Sequence, residues 1–230
     1  MRKVTVIIPV YNEKDTLLQL IEKVETAKFA GLEKEIILVD DCSNDGTTDI
    51  LKSLTEKYKV LFHEKNQGKG AAIRTAVKEA TGDFVVIQDA DLEYLPDDYD
   101  KLLPLLINNE ADVVYGSRFK NKENLKNFIL KNKIANKFLT LLTNVLYGAK
   151  ITDMETCYKA FRREFIQRVN IKSNRFDFEP EITAKILKQK ARLQEVAISY
   201  NGRGHDEGKK INWKDGIHAI LTIIKFRFVD

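Results

Sequence analysis

Phe84-Val85-Val86-Ile87-Gln88-Asp89-Ala90-Asp91-Leu92-Glu93 passes from an apolar, β-branched run straight into carboxylates. Gly82-Asp83 precedes it and Pro96-Asp97-Asp98 follows. A short continuous apolar run between turn residues reads as a buried parallel strand whose carboxyl end opens into a loop. In open α/β sheets that end is where ligands bind. Asp89 and Asp91, one residue apart, with Glu93 two further on, can aim oxygen ligands at one hard cation. Mg²⁺ is bound in this way, by one or two carboxylates plus substrate phosphates. The plainer reading is an acidic loop.

The neighbouring segments argue against the plainer reading. Val4 to Val10 is a buried-strand run, followed by Tyr11-Asn12-Glu13. A helix pattern of Leu17, Leu18, Ile21 and Val24 comes next, reaching about Phe29 and stopped by Gly31. Glu35 to Val39 is a second strand that again ends in carboxylates, Asp40-Asp41. Ser43 to Thr47 is a turn and cap for a helix to about Lys57. Val60-Leu61-Phe62 is a third strand, Ala71 to Ala80 a helix, and Asp112 to Gly116 a further strand beyond a helix near Asp98–Asn109. Strand and helix alternate with short connections, which predicts a parallel sheet with helices on both faces. Tyr11 and Glu13, Asp40 and Asp41, Asp89 and Asp91 then converge on one rim. Buried strands have no need of carboxylates at their tips.

Gly68-Lys69-Gly70 at a helix start invites a phosphate-loop reading. Neither the P-loop nor the dinucleotide-fold glycine spacing is present. A tight loop and close helix packing account for these glycines equally well.

The 230 residues suit one domain, and the 43% hydrophobic content supports a sizeable core. Two cysteines, Cys42 and Cys157, make no disulfide framework and point to a reducing compartment. No apolar run is long enough to span a bilayer. The net charge of +4 hides an asymmetry. Met1 to Ser117 holds 14 basic and 22 acidic residues, net −8; Arg118 to Asp230 holds 24 and 12, net +12. The acidic half suits a metal site, and the basic half a phosphorylated or membrane-surface partner. No nucleic-acid-binding module is present, and aromatic interleaving among the cations is thin, so no nucleic acid is expected. His63, His205 and His218 show no metal spacing.

In the basic half, Ile134, Phe138, Leu141, Leu142, Val145 and Leu146 recur at helical spacing among lysines. A basic amphipathic helix over 134–147 either lies in a membrane interface or packs on the core. Asp153 to Arg163 reads as a polar loop feeding a short strand, Phe178 to Gln189 as a helix, and Leu193 to Tyr200 as a strand. Asn201 to Lys210 is rich in glycine and charge, suited to closing over an anion or to a plain exposed connection. A last helix, about 213–228, carries an apolar stripe.

Val6 to Glu13, Val39 to Thr47, Asn66 to Gly70 and Gln88 to Asp91 stand in the order and spacing of family-two glycosyltransferases. The chain resembles that family most up to Phe119. Gly116-Ser117-Arg118-Phe119, with Arg203 and Lys209, is similar to its polyprenyl-phosphate branch, which includes the dolichyl-phosphate mannose and glucose synthases. The resemblance implies a GT-A fold in a single domain, with a nucleotide-sugar and metal half (1–117) and an acceptor half (118–230). It implies that Pro9, Tyr11 and Glu13 line the nucleotide pocket and that Asp40 reads the base or ribose. Asp89, Ala90 and Asp91 hold the sugar nucleotide, with Asp89 and Asp91 at a Mg²⁺ or Mn²⁺ ion. Glu93 stands where the mannose synthases place a glutamine metal ligand. Arg118, Arg203 and Lys209 (or Lys210) bind the donor diphosphate or acceptor phosphate. The 134–147 helix falls where such enzymes rest on the membrane. The expected location is the cytoplasmic membrane face, held peripherally or by a separate membrane-protein partner.

The implied reaction moves a hexose from a nucleotide sugar such as GDP-mannose or UDP-glucose to a polyprenyl phosphate, with inversion. A phosphate acceptor is largely ionised near neutral pH, its second pKa being about 6, and needs no general base. A sugar-hydroxyl acceptor in cell-surface polysaccharide synthesis would need one, with Asp153 or Glu155 as the candidates. A non-catalytic nucleotide-sugar-binding protein is the alternative outside the enzymes, and the intact Asp89/Asp91 pair speaks against it. A nucleotidyltransferase would want a glycine-rich basic signature after the first strand, which Pro9-Val10-Tyr11-Asn12 is not.

Overall fold

The computed structural model describes residues 2–124, 130–202 and 213–229. Seven strands form one sheet in the order β3-β2-β1-β4-β6-β5-β7. They are β1 (Lys3–Val10), β2 (Glu33–Asp40), β3 (Lys59–Phe62), β4 (Phe84–Ile87), β5 (Val113–Ser117), β6 (Lys159–Arg162) and β7 (Leu193–Ala197). The helices are α1 (Leu17–Thr26), α2 (Thr47–Ser53), α3 (Lys69–Glu79), α4 (Tyr99–Ile107), α5 (Leu130–Tyr147), α6 (Arg163–Arg168), α7 (Phe178–Lys188) and α8 (Trp213–Phe228). The α/β, doubly wound and mostly parallel sheet expected from the alternation is present, with helices on both faces.

Strand residues alternate between two cores. Val6 and Ile8 of β1 join Leu17, Leu20 and Val24 of α1 and Leu102, Leu103 and Leu106 of α4 on one face. Ile7 joins Ala72, Ile73 and Ala76 of α3 and Phe178, Ile182 and Ile186 of α7 on the other. Truncating one fully buried leucine such as Leu102 to alanine costs about 2–5 kcal/mol.

The chain moves one way from β1 to β2 and β3, then returns to place β4 on the other side of β1. This reversal leaves a crevice at the carboxyl ends of β1 and β4, where ligands bind in such sheets. Register keeps the tips level. Val10 pairs with Asp40 and Ile7 with Ile87, and the Gln88 N–H donates to the Ile7 carbonyl at 2.9 Å.

The strict alternation breaks at β6, which runs antiparallel to both β4 and β5. Its amino end therefore lies at the same rim as the carboxyl ends of the parallel strands. Lys159 and the loop before it, Asp153 to Tyr158, are brought there for that reason. The short helix α6, absent from the sequence expectation, follows β6 directly.

α5 and α8 pack together over Ile151 and Met154 in a third, smaller core. The Tyr147 hydroxyl donates to the Ile223 carbonyl at 2.7 Å. The apolar set expected on one face of α5 divides. Leu142 and Leu146 turn inward, while Ile134, Phe138, Leu141 and Val145 are exposed. α8 repeats the spacing outward with Ile217, Leu221, Ile224 and Phe228. Among the described residues no helix is long and apolar enough to cross a membrane.

Candidate active site

A pocket of about 270 Å³ opens at the crevice. Pro9, Tyr11, Glu13, Asp89, Ala90, Asp91 and Glu93 all line it. After each of β1, β2 and β4 one residue turns left-handed: Asn12 (φ 51°), Cys42 (φ 63°) and Leu92 (φ 62°). Non-glycine residues adopt this conformation at a cost, and clusters of them mark functional loops. Leu92 lies between Asp91 and Glu93, whose N–H donates to Asp91 Oδ1 at 3.1 Å.

Asp40 stands apart from these residues. It is buried at the tip of β2, accepting from the Ser43 N–H at 3.0 Å and from the Thr48 hydroxyl at 2.5 Å, and so ties down the turn into α2. Its neighbour Asp41 lines the pocket instead. Asp41 accepts from the N–H groups of Gln67 and Gly68 at 2.8 and 2.7 Å and lies 2.7 Å from His63 Nδ1. His63 Nε2 reaches the Thr75 hydroxyl at 3.0 Å. This chain of contacts fixes the Asn66–Gly70 loop against the pocket and gives His63 a positioning role that its sequence spacing did not suggest.

Both glycines of that loop serve close packing. Gly68 has φ +99°, and a Cβ there would collide with the Asn174 carbonyl. A Cβ on Gly70 would sit 2.5 Å from the Ser173 carbonyl. Lys69, held between them, lines the pocket and contacts Asp89 Oδ1 at 2.7 Å and Oδ2 at 2.9 Å. Burial disfavours the Lys69 ammonium, yet the neighbouring carboxylates of Asp89 and Glu179 outweigh it and hold it well above the usual lysine range. Burial likewise pushes Asp89 up, and Lys69 overrides it to leave the carboxyl below its ordinary value.

Beneath lies a layer of alternating charge. Glu179, at the start of α7, lies 3.5 Å from Lys69 through Oε1 and pairs with Lys159 through Oε2. Lys159 is fully buried and also donates to the carbonyls of Met154 and Thr156. Cys157 lines the pocket beside this group; burial, then Asp89, pushes its thiol well up, so it is a neutral wall and not a nucleophile. Burial, reinforced by Glu179, raises Glu155 to about 7.

Arg118 grips Asp153 with two parallel bonds, Nε to Oδ2 at 2.8 Å and Nη2 to Oδ1 at 2.7 Å, and both residues are buried. Its guanidinium also lies 5.3 Å from the Tyr200 ring centroid. Arg118 is not among the pocket-lining residues. Arg175, unremarked in the sequence, is exposed and lines the pocket together with Phe176. Arg203, Lys209 and Lys210 lie outside the described residues.

Among the described residues no three histidine, cysteine or acidic side chains converge into a ready-made metal site. Asp91 and Glu93 on the pocket wall supply the hard oxygen ligands that Mg²⁺ or Mn²⁺ prefers, and Asp89 has Lys69 as its counter-ion. Such a set fits a cation that also takes oxygens from a bound diphosphate.

The architecture recurs in solved glycosyltransferases. Glucosyl-3-phosphoglycerate synthase from Mycobacterium tuberculosis, in complex with Mn²⁺, uridine diphosphate and phosphoglyceric acid, matches 100% of this chain and 80% of its own, with a TM-score of 0.73. At 18% identity that likeness shows the fold, which is GT-A. Residues 5–169 match the profile of glycosyl transferase family 2, and the chain belongs to that family. Dolichol-phosphate mannosyltransferase of Pyrococcus furiosus is 32% identical over 213 residues, covering 90% of this chain. This chain spans 59% of that relative's length. UDP-N-acetylglucosamine–dolichyl-phosphate N-acetylglucosaminyltransferase of Methanococcus voltae is 30% identical over 212 residues, 84% of this chain and 83% of its own.

Proposed function

We propose that this glycosyltransferase moves a hexosyl group from a nucleotide sugar to a polyprenyl phosphate at a membrane surface, inverting the anomeric centre. The observation that carries the reading is the pocket itself. Carboxylates from the tip of β4 and cations from Lys69 and Arg175 line one cavity at the crevice between β1 and β4. The names of the two dolichyl-phosphate relatives support the choice of acceptor.

In this reading Pro9, Tyr11, Glu13 and Asp41 enclose the nucleotide. Asp91 and Glu93 would hold a Mg²⁺ or Mn²⁺ ion, with Asp89 beside them. When bound, the metal neutralises charge developing on the departing nucleoside diphosphate. Lys69 and Arg175 add fixed positive charge at the same place, and removing one such group costs roughly 100- to 1,000-fold in rate. Arg203 and Lys209 receive the acceptor phosphate. Arg118 acts through Asp153, holding the loop before β6. No general base is required for a phosphate acceptor.

The outward stripes of α5 and α8 support a membrane-side acceptor. α5 exposes Ile134, Phe138, Leu141 and Val145, and α8 exposes Ile217, Leu221, Ile224 and Phe228, with Lys131, Lys137, Lys225 and Arg227 on the same helices. Apolar side chains with basic neighbours suit an anionic bilayer surface.

A thermal-shift panel of UDP- and GDP-sugars with Mg²⁺ or Mn²⁺ tests the donor half of the proposal. A ligand at 100 times its Kd adds about 2.7 kcal/mol of stability. One nucleotide series is expected to raise Tm only with metal present. No shift with any nucleotide would end the reading.

A further inference from the structure

Asn170 to Asp177 joins α6 to α7 without regular structure and brings Arg175 and Phe176 to the pocket wall. The backbone groups of an irregular segment must find their partners outside it. Here the partners are sorted by charge. Glu181 of α7, fully buried, takes the N–H groups: that of Lys172 at 2.8 and 3.1 Å, one to each oxygen, and that of Ser173 at 2.5 Å. Lys185, one turn further along α7, pairs with Glu181 at 2.6 Å and donates to the Asn170 carbonyl. Arg74 of α3 takes the carbonyls, those of Ile171 and Ser173 at 3.4 and 3.3 Å, and the Asn174 side-chain oxygen at 2.7 Å. The Ala71 N–H adds a bond to the Asn174 carbonyl at 3.0 Å.

Helix packing alone does not account for this arrangement. Apolar residues of similar volume pack an interior as well as a buried ion pair does, or better. They cannot fix the N–H groups and carbonyls of a segment that makes no helix or strand of its own. Neither Arg74 nor Glu181 lines the pocket. The residue they leave at the pocket is Arg175, directly after the segment they hold. A cation stabilises developing charge only where it is preorganised, and a displacement of about 1 Å can cost about 100-fold in rate.

We propose that Arg74 and Glu181 are positioning residues for transfer: they grip residues 170–174 by opposite backbone groups and so hold Arg175 where the departing diphosphate develops charge. The inference rests on the donor reading above and deepens it, by naming residues behind the pocket wall that act through Arg175.

Arg74 is half-buried, so Arg74→Ala carries the test without emptying a core. Turnover of UDP-glucose or GDP-mannose, whichever raises Tm, is followed with a short polyprenyl phosphate in the wild type, Arg74→Ala, Arg175→Ala and the double variant. Arg74→Ala is expected to lower kcat roughly 10- to 100-fold through misplacement of Arg175. The donor KM is expected to stay within about threefold, because the lost interaction strengthens only in the transition state. Adding Arg74→Ala to Arg175→Ala is expected to change kcat by no more than about twofold, as residues acting through one group are not additive. Arg74→Lys is expected to restore only part of the rate, since one ammonium cannot reproduce the guanidinium fork. Hydrogen exchange over 170–174 is expected to quicken in Arg74→Ala and in Glu181→Gln with Lys185→Met, with α4 unchanged. Fully additive losses in the double variant, a change in KM alone, or unaltered exchange would overturn the inference. An Arg175→Ala enzyme as fast as wild type would also overturn it, while leaving the donor pocket standing. A wild type that turns over neither nucleotide sugar would instead take the donor reading down, and the inference with it.

Discussion

The Tyr200 hydroxyl donates to Glu93 Oε2 at 2.9 Å, across 107 residues of chain. The Asn201 N–H donates to the Glu93 carbonyl at 2.9 Å beside it. One end of the carboxylate loop is thus fastened to the segment that leaves β7. Tyr200→Phe removes the hydroxyl and keeps the ring on Arg118 and Tyr94. It is expected to weaken Mn²⁺-dependent nucleotide binding by roughly 3- to 10-fold, the worth of one hydrogen bond, with little change in Tm. Calorimetry with and without Mn²⁺ reads this, and unchanged binding would make the contact incidental.

Arg118 and Asp153 form a buried pair, their side chains 7% and 0% exposed. Asp153→Ala strands the guanidinium in the interior. The expected cost is about 3–5 kcal/mol in urea-melt stability, well above the value of a surface ion pair. A loss below about 1 kcal/mol would show that Arg118 is solvated some other way.

Glu155 supplies a pH signature. Its folded value is raised from 4.5 to about 7 by burial, with Glu179 adding repulsion. Between those values the folded state binds the proton more tightly than the unfolded chain. Its contribution to stability is fully present below about pH 4.5 and lost as pH rises through 7. Glu155→Gln removes this pH-dependent contribution, so the gain in Tm of the variant over wild type is expected to grow from pH 4.5 to pH 8. A constant difference across that range would contradict the assignment.

The outward stripes of α5 and α8 are separable from the pocket. Phe138 and Leu221 are 53% and 58% exposed, so Phe138→Asp with Leu221→Asp is expected to leave stability within about 1 kcal/mol. Binding to anionic vesicles in a sedimentation assay is expected to fall severalfold, with nucleotide binding intact. Equal sedimentation of wild type and variant would remove these helices from the membrane-contact reading.

Much of this architecture is legible in the sequence for a physical reason. Buried parallel strands are unbroken β-branched runs, so carboxylates at their tips are conspicuous, and Asp89, Asp91 and Glu93 could be placed at the rim without coordinates. The direction of β6 was not legible, because pairing direction is decided by neighbours and not by local pattern. With it went the site roles of Lys159 and Cys157. Nor did the sequence separate Asp40 from Asp41. Adjacent residues at a strand end point opposite ways, and only the register of β2 shows that Asp40 turns inward to Ser43 and Thr48. The Lys69–Glu179 contact spans 110 positions and leaves no spacing to read. On α5, periodicity identified the apolar residues but not that Phe138 and Leu142 face opposite environments.

The most direct test of the central claim is transfer itself. The purified chain, a nucleotide sugar selected by the thermal-shift panel, Mg²⁺ or Mn²⁺ and a short polyprenyl phosphate are incubated, and the lipid fraction is analysed by mass spectrometry. The account predicts a polyprenyl-phosphate hexose whose formation stops with EDTA and falls by roughly 100-fold or more in Asp91→Asn. Nucleotide-sugar turnover that leaves the lipid phosphate unmodified while a sugar hydroxyl is glycosylated would contradict it.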